Sequence, residues 1–205
     1  MTRSFTVYLV DDDSGVLKSL SRLLRAKGYD VKSYSSPQVF LEDHNEEAPG
    51  CAILDVCMPD LDGLEIQEVL TTTTGSHRPV VFITGNGDIP NSVRAMKAGA
   101  IDFLTKPVKE KDLFEALSRA EAVDAESRRR RSELDEMRTK VRTLTPRERE
   151  VLTHVVAGRL NKQIAGELGT VEKTIKVHRS RMMEKLGIRT VADLVRMAEK
   201  LQLSK

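Results

Sequence analysis

Cysteine is scarce in this chain, with only Cys51 and Cys57 among 205 residues. Their C-x5-C spacing, with no histidines grouped nearby, is not a zinc-ligand pattern. Two thiols in a cytosolic chain do not make a disulfide framework either. Long apolar runs are also missing, and none approaches the roughly 20 residues needed to span a bilayer. The opening Met1-Thr2-Arg3-Ser4-Phe5 enters a strand pattern at once, without the apolar stretch of a secretory signal. A secreted disulfide scaffold, a zinc module and a membrane partner are therefore not expected, and the expected location is cytoplasmic. What remains is 40% hydrophobic and 31% charged residues, an ordinary balance for a soluble protein of one large or two small domains.

Charge divides the chain. Residues 1–120 carry 13 Lys and Arg against 18 Asp and Glu, a net of −5. Residues 121–140 balance at 6 against 6, and residues 141–205 carry 14 against 7, a net of +7. The formal total of +2 hides an acidic front and a basic back, and the basic part is suited to a polyanion.

The first 120 residues alternate short apolar runs with helical periodicity. Strands are predicted at 6–10, 30–34, 51–54, 80–83 and 101–104. Between them, Val16, Leu17, Leu20, Leu23 and Leu24 share a helix face that Gly28 ends, and Ser36-Pro37 opens a second helix. A third helix starts at Leu64 with Ile66 and Leu70 on its apolar side, and a fourth over 90–97 points Val93 and Met96 inward. Such alternation gives parallel strands joined by helical crossovers. From Lys111 a helical pattern runs to Arg142, through Arg128-Arg129-Arg130-Arg131, with Leu134, Met137 and Val141 spaced as a short seam for another copy. Acidic neighbours favour a solvated face for the four arginines over a nucleic-acid contact.

A helical module follows. Thr145-Pro146 with Glu148 reads as a capping box, and Gly158 ends that helix. Asn161 is expected to cap the next helix, and Thr170 to cap a basic third helix over 171–186 after the Gly169-Thr170 turn. A last helix runs over 191–201. Two helices joined by a short glycine turn, the second one basic, describe a helix-turn-helix.

Chemistry gathers where strands end. Asp11-Asp12 follows the first strand and Asp55 the third, so parallel strands bring three carboxylates to one sheet edge. They repel unless a cation sits between them, and hard oxygen donors with room for water suit Mg²⁺. A carboxylate beside Mg²⁺ can accept a phosphoryl group, which makes Asp55 the candidate phosphoacceptor. Thr84 ends the fourth strand with a hydroxyl, Lys106 follows the fifth with a point charge, and Pro107 is a cis-proline candidate.

These motifs carry a resemblance. Asp11-Asp12, Asp55-x-x-Met58-Pro59-Asp60-x-Asp62-Gly63, Thr84-Gly85 and Lys106-Pro107 resemble the receiver domain of two-component response regulators. Leu144-Thr145-Pro146-Arg147-Glu148, Asn161-Lys162-Gln163-Ile164-Ala165, Lys173-Thr174-Ile175-Lys176-Val177-His178-Arg179 and Lys185-Leu186-Gly187 resemble the LuxR/GerE-type helix-turn-helix. Together they point to the FixJ/NarL family, and the pattern over 85–90 and 95–100 resembles its FixJ-type branch.

The resemblance implies a flavodoxin-like, doubly wound α/β receiver with a five-stranded parallel sheet over 1–120. A helical linker over 121–142 and a small all-α four-helix DNA-binding domain over 143–205 follow. It implies that Asp55 receives its phosphoryl group from a sensor histidine kinase, with Mg²⁺ held by Asp12, Asp55 and the backbone carbonyl of Cys57, and by Asp11 through water. Thr84 and Lys106 would hold the phosphoryl group, with Phe103 as the switch aromatic. Cys57 departs from commoner choices two residues after the acceptor, and with Asn86, two residues beyond Thr84, it bears on the phosphoryl lifetime.

In the basic helix, Lys173, Thr174, Lys176, Val177, Arg179 and Arg181 are the residues expected to face a groove or phosphates, with Ile175, Met182 and Leu186 inward. The expected partners are the kinase, double-stranded DNA, a second copy on phosphorylation, and RNA polymerase. A Mg²⁺-dependent phosphatase is the enzymatic alternative, but it lacks an insertion to cap a substrate pocket and leaves the basic module idle. A receiver with a protein-binding adaptor is the third reading. A DNA-binding transcription regulator rather than an enzyme is expected.

Overall fold

The structure is a computed structural model that describes residues 5–59, 61–72, 78–85 and 89–203. Asp60, Asn86, Gly87 and Asp88, part of the motifs above, lie outside the described residues. The chain divides into two compact units, residues 1–128 and 129–205.

In the first unit, β1 (Thr6–Val10), β2 (Asp30–Tyr34), β3 (Gly50–Asp55), β4 (Val80–Thr84) and β5 (Asp102–Thr105) form one parallel sheet in the order β2-β1-β3-β4-β5. The helices α1 (Ser14–Ala26), α2 (Pro37–Asp43), α3 (Gly63–Thr72), α4 (Ile89–Lys97) and the start of α5 (Glu110–Arg142) alternate with the strands. This is the doubly wound arrangement the sequence pattern implied.

Strand side chains alternate between faces because successive Cβ atoms point to opposite sides. Val7, Leu9, Ile53, Val81 and Ile83 therefore join Leu20 and Leu24 of α1 and Leu113, Ala116 and Leu117 of α5 in one core layer. Tyr8, Val10, Ala52, Leu54 and Phe82 join Phe40 of α2, Ile66 and Leu70 of α3, and Ala95 of α4 in the other. Both faces are covered, so the central strands read as continuous apolar runs.

The fourth helix differs from expectation. Ala95 is its buried residue, while Val93 and Met96 are 45% and 48% exposed. Only a small side chain faces the sheet, so the bulky apolar residues of α4 stand outward.

The second unit comprises the end of α5 with α6 (Pro146–Val156), α7 (Asn161–Glu167), α8 (Glu172–Leu186) and α9 (Val191–Lys200). Leu152, Val155, Ile164, Ile175, Met182, Leu186 and Leu194 form its core, and Met137 and Val141 of α5 pack against it. Those two residues thus serve their own unit's core, where the sequence had offered them as a seam for a second copy.

Thr145 and Glu148 form the expected reciprocal capping box, each side chain accepting from the other's backbone N–H. Two other caps shift by one residue. Leu160 and Val171, not Asn161 and Thr170, hold the N-cap positions of α7 and α8. The Leu160 N–H is taken by the Gln163 side chain at 2.8 Å, while the Thr170 N–H closes the end of α7 on the Ala165 carbonyl at 2.9 Å. Gly169, at φ 63°, makes the left-handed turn between the two helices.

Candidate functional site

Register sets the first site. Val10 pairs with Leu54, Asp55 with Ile83, and Thr84 with Thr105. The residues that follow, or end, these strands are Asp11, Asp55, Thr84 and Lys106, which meet at the carboxyl edge. Carboxylate oxygens of Asp11, Asp12 and Asp55 all lie within 4.8 Å of one another. Asp11 and Asp55 are buried and Asp12 is exposed, so the cluster has a wet side.

Lys106 reaches back into this cluster. Its Nζ is 2.7 Å from Asp11 Oδ2 and 3.0 Å from Asp55 Oδ1. Its backbone N–H donates to the Thr84 carbonyl at 2.7 Å, and the peptide bond to Pro107 is cis.

Burial pushes the Asp55 carboxyl above its ordinary value, and the charges of Asp11 and Asp12 add to that push while Lys106 opposes it. Burial also works against the Lys106 charge, yet the hydrogen bonds to Asp11 and Asp55 hold the ammonium above the ordinary lysine value. Three carboxylates against one ammonium leave an excess of negative charge lined by hard oxygen donors, a set that fits a divalent cation better than a softer metal.

Other predicted residues sit around this edge. Thr84 is fully buried at the end of β4. Phe103 on β5 is partly buried, its ring 6.1 Å from that of Phe82. Cys57 is exposed with a free thiol, two residues beyond Asp55. Gly63 lies so close to β3 that an added Cβ would come within 2.3 Å of the Asp55 carbonyl oxygen, so a side chain there would disturb the strand end that carries the acceptor. Asp13 donates its backbone N–H to Asp11 Oδ1 at 2.9 Å, but its own carboxylate is not one of the three clustered groups. Its Oδ1 accepts from the N–H groups of Gly15 and Val16 at 2.7 and 3.3 Å and caps α1.

The second site is the outer surface of α8. Ile175, Met182 and Leu186 are buried, as expected. Lys173, Lys176, Val177 and Arg181 are exposed, while Thr174 and Arg179 are half-buried. Arg179 is tied across to α7, its Nη1 donating to Asn161 Oδ1 at 3.0 Å. Lys176 pairs with Glu172 at 3.1 Å, an i,i+4 partner that the sequence reading passed over although the spacing was legible.

The base of α8 is held by the capping-box acid Glu148, through a bond to Lys185 that the sequence reading missed. Glu148 accepts from Lys185 Nζ at 2.7 Å and from the Thr145 N–H at 2.9 Å. These bonds, the lysine's first, hold the Glu148 carboxyl below the usual glutamate range.

Residues 7–118 match the response regulator receiver domain, and residues 142–198 match the bacterial regulatory proteins of the luxR family. Fold and motifs together define a two-component transcriptional regulator, a receiver followed by a LuxR-type DNA-binding domain. The chain belongs to the response-regulator family of transcription factors, which is not an enzyme family.

It is 44% identical over 200 residues to the response regulator protein TodT of Pseudomonas putida, covering 98% of this chain and 88% of that one. It is 38% identical to the transcriptional regulatory protein FixJ of Rhizobium meliloti, with 95% of each chain covered. A solved structure of the response regulator StyR superposes with a TM-score of 0.79 at 45% identity, covering 97% of this chain and all of that one. A receiver implies a kinase partner, and a helix-turn-helix implies DNA. Among the described residues, no helix is long and apolar enough to cross a membrane.

Glu148 yields a pH prediction. Because its folded-state pKa is depressed, its contribution is present above the unfolded value of about 4.3 and is lost as pH falls through the folded value. Glu148→Gln should lower the stability of the second unit by about 1.5–3 kcal/mol at pH 7, the range for a hydrogen bond to a charged group. Urea unfolding should show that gap closing below about pH 4.3. A gap independent of pH would contradict the ionised pairing.

Proposed function

We propose that Asp55 is the phosphoacceptor of a switch that controls DNA binding by the C-terminal unit. The observation that carries this reading is the Lys106 ammonium bridging Asp11 and Asp55 at the sheet edge, with Asp12 beside them. A carboxylate oxygen of Asp55 attacks the phosphorus of a phosphohistidine on a sensor histidine kinase. The phosphorus–nitrogen bond breaks, and the imidazole leaves with its electron pair.

Asp12, Asp55 and the backbone carbonyl of Cys57 would hold Mg²⁺, with Asp11 acting through water. When bound, the ion supplies neutralisation of charge on the transferring oxygens. Lys106 and the Thr84 hydroxyl hold the phosphoryl oxygens, and their movement lets Phe103 shift toward Thr84.

That shift remodels the face of α4 and β5. Ile89, Val93 and Met96 of α4 are 75%, 45% and 48% exposed, an apolar stripe suited to a second copy. Phosphorylation thereby favours a homodimer whose paired α8 helices read two half-sites in the major groove. Lys173, Thr174, Lys176, Val177, Arg179 and Arg181 supply the base and phosphate contacts, and bound dimers then engage RNA polymerase. Residues 1–120 act as receiver, 121–142 as linker and 143–205 as the DNA-binding domain, all in the cytoplasm.

Asp55→Asn should take no label from a small phosphodonor, and chelating Mg²⁺ should abolish labelling of the wild type. Equal labelling of variant and wild type would overturn the assignment. Lys176→Ala should weaken duplex binding by about 1–3 kcal/mol without altering self-association. Gel-shift titration at matched salt checks this, and unchanged affinity would count against α8 as the DNA-reading helix.

A further inference from the structure

An acid on the outer surface of a DNA-reading helix needs a partner. Glu172 Oε1 lies 3.1 Å from Lys176 Nζ, and the side chains are 47% and 63% exposed. Glu172 occupies the first turn of α8, the part of a recognition helix that reaches base edges. A carboxylate there is repelled by phosphates and by purine N7, guanine O6 and thymine O4. The major-groove donors that can receive it are cytosine N4 and adenine N6.

Resting on the DNA-binding reading above, we infer that Glu172 and Lys176 act together as a specificity determinant for a G·C base pair. Lys176 donates to guanine N7 and O6, and Glu172 accepts from cytosine N4. The spacing agrees, because guanine O6 and cytosine N4 are hydrogen-bonded to each other at about 2.9 Å. The carboxylate oxygen and ammonium nitrogen are 3.1 Å apart.

An A·T pair fits less well. It presents acceptor, donor, acceptor and then a methyl group, so a lysine on N7 and a glutamate on N6 leave thymine O4 unmatched beside the carboxylate. Val177, 42% exposed and adjacent in sequence to Lys176, offers apolar surface to a thymine methyl at a flanking position. An i,i+4 pair that only stabilises the helix surface gives no base preference.

The test is selection from randomised duplex by the full-length chain and by Glu172→Ala, both phosphorylated with a small phosphodonor and Mg²⁺, at matched low salt. The wild type should enrich a G·C pair at a fixed position of each half-site, and the variant should lose about tenfold of that preference, within the range for one base contact. Glu172→Gln, whose amide suits adenine N6 and N7, should move the same position toward adenine. Tighter binding by both variants with an unchanged base profile would overturn the inference, because the carboxylate would then only repel phosphates. Sequence-selective wild-type binding with no dependence on residue 172 sinks the inference alone. A phosphorylated wild type that binds no duplex refutes the DNA-binding reading itself.

Discussion

The Lys106 ammonium, 2.7 Å from Asp11 and 3.0 Å from Asp55, keeps two buried carboxylates side by side. Like charges at such range repel by roughly 4 kcal/mol at an effective dielectric of 20 and a 4 Å separation. One cation does not neutralise three acids, so the cluster keeps an excess of negative charge and a raised Asp55 carboxyl. A phosphoryl group on Asp55 would add a charge of about −1.5 to −2 and compete for the same ammonium. The proposed switch follows from that competition. Lys106 follows directly on β5, the strand that carries Phe103, and its own backbone N–H donates to the Thr84 carbonyl.

The order of elements was legible because their signals are local. Apolar runs in the first unit have period two or none, and helices are stopped by glycine or opened by a cap and proline. The site was legible because parallel strands place their carboxyl ends together, so Asp11, Asp55, Thr84 and Lys106 could be aligned without coordinates. What escaped depends on distance in the chain. The Glu148–Lys185 bond joins residues 37 apart, and nothing in the capping box announces the lysine. Arg78, buried above the Tyr8 ring at 4.6 Å and donating to the Asn45 carbonyl at 2.6 Å, carries no local signature either. Helix α4 misled for another reason. Its apolar residues were assumed to face inward, whereas Ala95 alone is buried there and Val93 and Met96 face outward.

The C-terminal unit shows the same division. Its helix-turn-helix follows from Gly169 and from the burial of Ile175, Met182 and Leu186, all readable from spacing. The electrostatics on its outer surface are set by pairings across and along helices. Arg179 is committed to Asn161, and Lys176 to Glu172, so the basic face is more ordered than its net charge of +7 over residues 141–205 conveys.

The central claim is that charge at Asp55 governs pairing of the chain. Sedimentation velocity of the 22.9 kDa protein with Mg²⁺, before and after a small phosphodonor, tests it most directly. The account predicts conversion from one chain to two, with no conversion when Asp55 is replaced by Asn. A single species of unchanged mass, in a sample whose Asp55 is demonstrably phosphorylated, would contradict it.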